Sequence, residues 1–261
     1  MEEVAKKMRL TFLGTGTSTG VPRIGCQCEV CTSTDPRDKR LRCSALFQQG
    51  DTNILLDCGP DFRYQMLRTH FLAPIHAVLI THEHYDHVGG IDDLRPFSYL
   101  QDVPLYADDF AAGNLRERLP YCLVRHVYPG IPQLRLQVIA PGETVMVRDV
   151  PVTAMRVMHG RLPILGYRVG DVGYITDMTS MPSDMRPLLS GIRLLVVNAL
   201  RHQPHPTHQT LDEAIAFRRS LPGDFPTYFI HMADQMGLHA VQEAALPDGF
   251  HFAYDGLVLD I

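Results

Sequence analysis

No stretch of this 261-residue chain is apolar for long enough to cross a bilayer, which excludes a helical membrane span. The opening segment, Met1 to Lys7, is charged and lacks the apolar core of a secretory signal. Met8, just ahead of the first strand-like run, is an alternative start, and the expectation is a soluble, cytoplasmic protein without membrane contacts. Positive charge is not in excess: 24 Lys and Arg face 29 Asp and Glu, a formal net charge of −5. That balance speaks against a generic nucleic-acid or membrane-surface binder, while leaving room for a local basic groove. Six cysteines are too few for the disulfide framework of a small secreted domain. Repeats, low-complexity tracts and linkers are missing as well, so residues 1–261 are read as one domain. At 45% hydrophobic and 20% charged residues, the composition is that of an ordinary globular protein.

What is present is concentrated in Thr81-His82-Glu83-His84-Tyr85-Asp86-His87, which spells His-x-His-x-Asp-His. Three imidazoles and a carboxylate are costly to crowd together unless a cation holds them. Imidazole and carboxylate are the ligands that zinc, manganese and iron take. The preceding Ala77-Val78-Leu79-Ile80 reads as a buried strand, so the motif sits at a strand end and on the loop after it.

The pattern elsewhere is mostly of strands. Arg9–Leu13 opens as one, and 44–48 with 53–56 reads as a strand pair around Gly50-Asp51. A helix is expected over 61–68, a strand over 104–106 and a helix over 109–119. Short strands follow at 134–139, 145–147, 152–158, 166–169 and 172–175. Then come a helix at 183–189, a strand at 194–197 and a helix from Thr210 to Arg219, with Glu213 at capping-box spacing. A strand at 228–230, a helix at 238–245 and a last strand at 257–259 complete the chain. Two mostly β halves, each with helices, predict an α/β (α+β) fold of two face-to-face sheets with helices outside.

Two metal ions need more ligands than one short motif supplies. His159, Asp177 and His231 each follow an apolar strand closely, as the motif does, and strand ends that converge on one rim can pool ligands. The order His-x-His-x-Asp-His, then His, Asp and His, resembles the metallo-β-lactamase superfamily. The match runs from Leu13-Gly14-Thr15-Gly16 to Tyr254-Asp255-Gly256. The resemblance implies a four-layer αββα sandwich. It implies His82, His84 and His159 on one ion, Asp86, His87 and His231 on a second, and Asp177 bridging them. The true β-lactamases carry a cysteine at the Asp177 position, so this chain is more similar to the phosphodiesterase and thioesterase branches. Two divalent ions, against two carboxylates and a bridging hydroxide, leave about one positive charge by formal counting. That suits a small anionic phosphodiester.

Cys26, Cys28 and Cys31 stand in Cys-x-Cys-x-x-Cys spacing within the polar loop 25–31, which suits a structural zinc with one ligand still to find. The loop resembles that of a narrower branch, which contains the phosphoribosyl cyclic phosphodiesterase of bacterial phosphonate degradation. There a histidine three residues past the last metal-binding histidine completes the zinc site. Asp234 holds that position here, and His239 is the next candidate.

Arg201-His202-Gln203-Pro204-His205-Pro206-Thr207-His208 is an irregular, proline-broken loop that can supply a general acid or a phosphate donor. By resemblance His208 ranks first, His205 second and His202 third. Asp86 and His208 are the catalytic candidates, with His208 and His205 the substrate contacts. Gly14-Thr15-Gly16-Thr17-Ser18-Thr19-Gly20 has the wrong spacing, and no following helix, for a dinucleotide loop. Asp57 is either a turn residue or an acceptor for a metal-bound imidazole, and Asp255 carries the same pair of readings. Asp61 and Arg63 begin a helix and are read as caps. Arg42 and Arg161 are candidate anion contacts. Met155, Met158, Met178 and Met181 are read as packing.

The expected function is a dinuclear metal-dependent phosphodiesterase, using a metal-bridging hydroxide on a small, cyclic phosphodiester. The expected cofactors are two zinc or manganese ions and one structural zinc, and resemblance alone suggests a homodimer. Alternatives are a tRNA-processing nuclease, disfavoured by the acidic charge, and a lactone or thioester hydrolase. A further one is a non-hydrolytic protein similar to one of pyrroloquinoline quinone biosynthesis, disfavoured by the complete ligand set.

Overall fold

The structure, a computed structural model, describes residues 7–123 and 130–261. Most of the charged segment Met1 to Lys7 therefore lies outside the described residues. Among the described residues, fourteen strands form two seven-stranded sheets. In chain order they are β1 (Met8–Gly14), β2 (Ser44–Gln49), β3 (Thr52–Leu56), β4 (Ala77–Leu79), β5 (Val103–Ala107), β6 (Leu134–Val138) and β7 (Thr144–Val147). They continue as β8 (Val150–His159), β9 (Leu162–Val169), β10 (Val172–Ile175), β11 (Leu194–Asn198), β12 (Thr227–Ile230), β13 (Phe250–Phe252) and β14 (Val258–Asp260). The first sheet has the order β14-β1-β2-β3-β4-β5-β6 and the second β13-β12-β11-β10-β9-β8-β7. Each sheet is antiparallel at one end and parallel at the other, where crossover segments join β3 to β6 and β10 to β13.

Alternation along the strands builds the layers. Ile54 and Leu56 of β3, with Val172 and Tyr174 of β10 and Leu194 and Val196 of β11, point between the sheets into the central core. Their neighbours point outward. Leu55 and Val78 pack with Phe62, Met66, Ala111 and Leu115 under the helices Phe62–Thr69 and Asp109–Arg118. Leu195 and Val197 pack with Leu211, Ala214 and Phe217 under the helix Leu211–Arg219. Burial on both faces is why these strands read as continuous apolar runs. The result is the expected α/β sandwich with helices on both outer faces. Among the described residues no helix is long and apolar enough to cross a membrane.

The expected helix over 183–189 is a correction: only Arg186–Leu189 is helical, as a short 3-10 turn, and Pro187 has no N–H to continue an α-helix from the residues before it. Strand β13 was not anticipated; its Phe-His-Phe is too short for a periodic signal. Thr210 and Glu213 form the capping box that their spacing predicts. Met155, Met178 and Met181 lie in the core under the second layer of helices.

Two polar contacts join the second sheet to the start of the histidine motif. The buried Tyr167 hydroxyl on β9 donates to Ile80 O at 2.8 Å, and Leu165 N–H donates to Thr81 O at 2.9 Å. The second sheet thereby grips the start of the histidine motif. Tyr167→Phe should cost about 1–3 kcal/mol, because a buried carbonyl loses its donor. Urea unfolding should show a lower midpoint at unchanged slope; an unchanged midpoint would show that Ile80 O finds another donor.

Candidate metal centre

The candidate ligands arrive from both sheets at one edge of the sandwich. His82, His84, Asp86 and His87 follow β4; His159 ends β8; Asp177 lies just past β10 and His231 just past β12. Two of these positions and one supporting residue have left-handed backbones: Asp177 at φ 57°, His231 at φ 59° and Asp57 at φ 53°. Non-glycine residues adopt that conformation at a cost of roughly 1 kcal/mol or more, and it persists where the surroundings hold it. Here it turns each strand end sharply, so that the side chain faces the rim.

The surroundings are identifiable. At Asp177, the buried Asn198 grips the next peptide on both sides: Met178 N–H donates to Asn198 Oδ1 at 2.7 Å, and Asn198 Nδ2 donates to Met178 O at 3.0 Å. Gln209 N–H also donates to Met178 O, at 3.1 Å, which ties the 201–208 loop to the same turn. At Asp57, Ser44 Oγ lies 2.9 Å from both Leu56 O and Asp57 O. Gly59 lets the chain pass against the motif; a Cβ there would overlap the carbonyl of Asp86. Asn198 escaped the sequence reading although it carried a usable signal, a polar residue ending an apolar strand. Thr81 and Ser44 carried none.

Hydrogen bonds set which nitrogen of each ring is free. Asp57 accepts from Thr81 N–H at 2.8 Å, from the Thr81 hydroxyl at 2.9 Å and from His87 Nδ1 at 2.7 Å. With the Thr81 hydroxyl hydrogen spent on Asp57, His82 Nδ1 is the donor to Thr81 Oγ1 at 3.0 Å. His159 Nδ1 donates to Thr207 O at 2.8 Å. The Nε2 atoms of His82, His87 and His159 are therefore left for a ligand.

Those atoms converge in groups. The ligand atoms of His82, His84 and His159 lie within 4.8 Å of one another, as do those of Asp86, His87, Asp177 and His231. A further group of the same spread joins His159, Asp177 and His208, so Asp177 reaches both sides. His82 Nε2 and His84 Nδ1 face each other at 3.0 Å. His87 Nε2 is 3.1 Å from Asp86 Oδ2 and 3.3 Å from Asp177 Oδ2, and His231 Nε2 is 3.1 Å from Asp177 Oδ1. His87 Nε2, both ring nitrogens of His231 and His208 Nδ1 are buried without a hydrogen-bond partner. Orphaned imidazole nitrogens aimed at two carboxylates are what a pair of divalent ions would satisfy.

The electrostatics agree. Burial opposes a charge on His87, yet Asp86, Asp177 and Asp57 outweigh it and hold the ring protonated well above the usual histidine range. Burial likewise opposes ionisation of Asp86 and Asp177, but the neighbouring histidines pull both below the usual carboxylate range. His82 is driven well below its ordinary value, first by burial and then by the charge on His87. Ionised carboxylates and a demand for positive charge are the conditions under which a metal replaces the proton.

Of the loop histidines, His208 reaches the centre. Its ring stacks on His231 at 4.8 Å and lies 4.7 Å from His159, with Nδ1 3.6 Å from Asp177 Oδ1. Burial, then the His231 charge, lowers its pKa to about 3. The half-buried His205 sits behind it, ring to ring at 5.0 Å. His202 points away, its Nε2 2.9 Å from Gln242 Oε1. Arg161 is exposed on the turn after His159. Arg42 is a correction to the anion-contact reading, since its guanidinium is paired with Asp61 at 3.0 Å. Asp61 is a second correction: it makes no side-chain cap bond, because its carboxylate also takes Arg42 N–H at 2.8 Å.

The cysteine loop closes on Asp234. Cys26, Cys28, Cys31 and Asp234 place their ligand atoms within 4.8 Å of one another. Three thiols and a carboxylate at that spread fit a tetrahedral zinc. His239, the other candidate, is buried elsewhere. Its Nδ1 faces Arg40 Nη2 at 3.1 Å, and its N–H donates to Asp38 Oδ1 at 2.7 Å. Arg40 continues to Thr15 Oγ1, and Asp255 accepts from Thr15 N–H and Leu41 N–H, so this network braces the first loop rather than touching a metal-bound ring.

The family model described as "Beta-lactamase superfamily domain" matches residues 52–232. An octanoyltransferase of Porphyromonas gingivalis is 42% identical over 252 residues, 96% of this chain and 51% of that protein. The chain thus spans about half the length of that relative. Among solved structures, a diphosphatase from the PhnP family superposes with a TM-score of 0.90 at 38% identity, covering 98% of this chain and 97% of that one. Zn²⁺-bound PqqB from Methylobacterium extorquens superposes with a TM-score of 0.76 at 21% identity, over 97% of this chain and 100% of that one, and shares the fold.

Burial, then the charges of Arg40 and Arg37, lowers the His239 pKa to about 4, against about 6.5 in an unfolded chain. Between those values the unfolded state carries the extra proton, so stability should fall as pH drops from about 6.5 towards 4. His239→Gln, which keeps an acceptor for Arg40, should lose less melting temperature than the parent between about pH 7.5 and 5. Equal losses would place the acid-sensitive group elsewhere.

Proposed function

This chain belongs to the metallo-β-lactamase superfamily and, within it, to the PhnP family, and we propose that it is a metal-dependent hydrolase that cleaves a phosphorus–oxygen bond of a small phosphodiester. The observation that carries the reading is the pair of ligand groups, His82 with His84 and His159, and Asp86 with His87, Asp177 and His231, joined by a third in which Asp177 meets His159 and His208. His82, His84 and His159 would hold one ion, Asp86, His87 and His231 the other, and Asp177 both. Bound there, two ions would supply an ionised water near neutral pH and positive charge opposite the phosphoryl oxygens. Asp57, Thr81 and Thr207 keep the rings in the tautomers that the ions require. His208, neutral in this setting, carries one N–H, enough to donate to a phosphoryl or leaving oxygen. The oxygen of water joins phosphorus, the bond to the leaving oxygen breaks, and that oxygen takes a proton. The diphosphatase among the similar structures adds a second kind of leaving group, a phosphate in place of an alcohol.

Purified protein supplied with Mn²⁺ or Zn²⁺ should hydrolyse bis-p-nitrophenyl phosphate, a ribose cyclic phosphate or a nucleoside diphosphate ester. His82→Ala and Asp86→Ala should abolish turnover and lower metal content. His208→Ala should slow the rate by about 10²–10⁴-fold with metal content intact; loss of metal instead would make His208 a ligand. Wild-type rate in His82→Ala with both ions present would overturn the site assignment. A wild-type protein with both ions and no turnover would overturn the phosphodiesterase reading.

A second reading rests on the relative named for octanoyl transfer. About half of that protein corresponds to this chain. An acyl thioester is therefore the comparison substrate, and its faster hydrolysis would move the assignment to the thioesterase branch.

A further inference from the structure

The cysteine group differs from that of the resembling branch by one ligand, an aspartate in place of a histidine, and the charge that this adds has a visible partner. Arg23 lies on the same loop. Its guanidinium Nη2 is 3.1 Å from Asp234 Oδ2 and 3.6 Å from Cys26 Sγ, and its backbone N–H donates to Cys31 Sγ at 3.4 Å. Asp234 Oδ2 is also the oxygen that faces Cys26 Sγ and Cys28 Sγ, at 3.4 Å each. One residue thus touches three of the four members of the group.

Three thiolates and a neutral imidazole around Zn²⁺ carry a formal charge of about −1; exchanging imidazole for carboxylate makes it about −2. The Asp234 side chain is 9% exposed, so water does little to screen the added charge, whereas Arg23 is 46% exposed and has a solvated guanidinium to offer. A carboxylate oxygen has two lone pairs, one for a metal and one for an N–H donor. We propose that Arg23 is the charge-balancing partner of a Cys₃Asp zinc site, and that the chain needs it because Asp234 stands where a neutral ligand would not.

The inference rests on reading the loop as a zinc site, and a double-mutant cycle on the full-length, metal-loaded protein separates the two. Zinc affinity is measured by competition with a chromophoric chelator. After exchange to Co²⁺, the sulfur-to-metal absorption in the near ultraviolet follows the thiolate site apart from the histidine–carboxylate centre. Arg23→Gln should weaken metal binding at the thiolate site by about 10–100-fold, as loss of a ligand's supporting contact does, and Arg23→Lys should recover part of it. In an Asp234→His background, Arg23→Gln should change affinity by less than about twofold, since the ligand no longer carries the charge. An equal loss in both backgrounds, or none in the parent, would overturn the proposal. A parent protein whose three thiols bind neither Zn²⁺ nor Co²⁺ would overturn the zinc site itself, and Arg23 with it.

Discussion

A carboxylate removed from water organises the centre. Asp57 is fully buried at the end of β3, and its interactions reach the two parts of the histidine motif that matter most, Thr81 before it and His87 within it. An isolated buried carboxylate would be costly, and burial does push its pKa upward. Bonds from Thr81 N–H, the Thr81 hydroxyl and His87 Nδ1 offset that cost. The geometry that satisfies Asp57 is also the one that aims His87 Nε2 at Asp86 and Asp177. Through the Thr81 hydroxyl the same carboxylate selects the His82 tautomer. Without Asp57 the motif would keep its residues and lose their direction.

The second sheet solves the same problem differently. Asp177 is held by an amide, Asn198, that clasps the peptide after it, and the segment bearing His208 hangs from the same carbonyl through Gln209. The Asp177 carboxylate and the histidine beside it are therefore placed by one local structure. His231 turns out of β12 in a left-handed conformation, and Met232 pairs with the Thr15 loop immediately after it. The sandwich supplies rigid strands; single polar residues at their ends convert that rigidity into ligand geometry.

The similar proteins carry different names, an octanoyltransferase, a diphosphatase and PqqB, so the fold alone does not select a reaction. On the rim of this chain stand an aspartate at 177, His208 pressed against it, and His205 ring to ring with His208. The cysteine loop packs with Val21, Val30 and Leu238 in a small cluster of its own. Its exchange of histidine for aspartate is a local change, with a local answer in Arg23.

The candidate ligands were legible in the sequence because each follows a strand that is itself legible. Val78, Val157, Ile175 and Phe229 are buried, apolar and part of short runs, and a titratable residue just past such a run is conspicuous. The layered fold followed from the same runs, because strands buried on both faces have no polar alternation to hide them. What the sequence left open was decided by contacts between residues far apart in the chain. Arg42 looked like an anion contact until the fold paired it with Asp61, and His239 like a zinc ligand until Arg40 claimed it. Asn198 and Thr81 are ordinary residues whose roles exist only once β10 meets β11 and β3 meets β4. Spacing along a chain determines which chemistry is available; the direction of a lone pair depends on a partner that only the tertiary structure brings within hydrogen-bond distance.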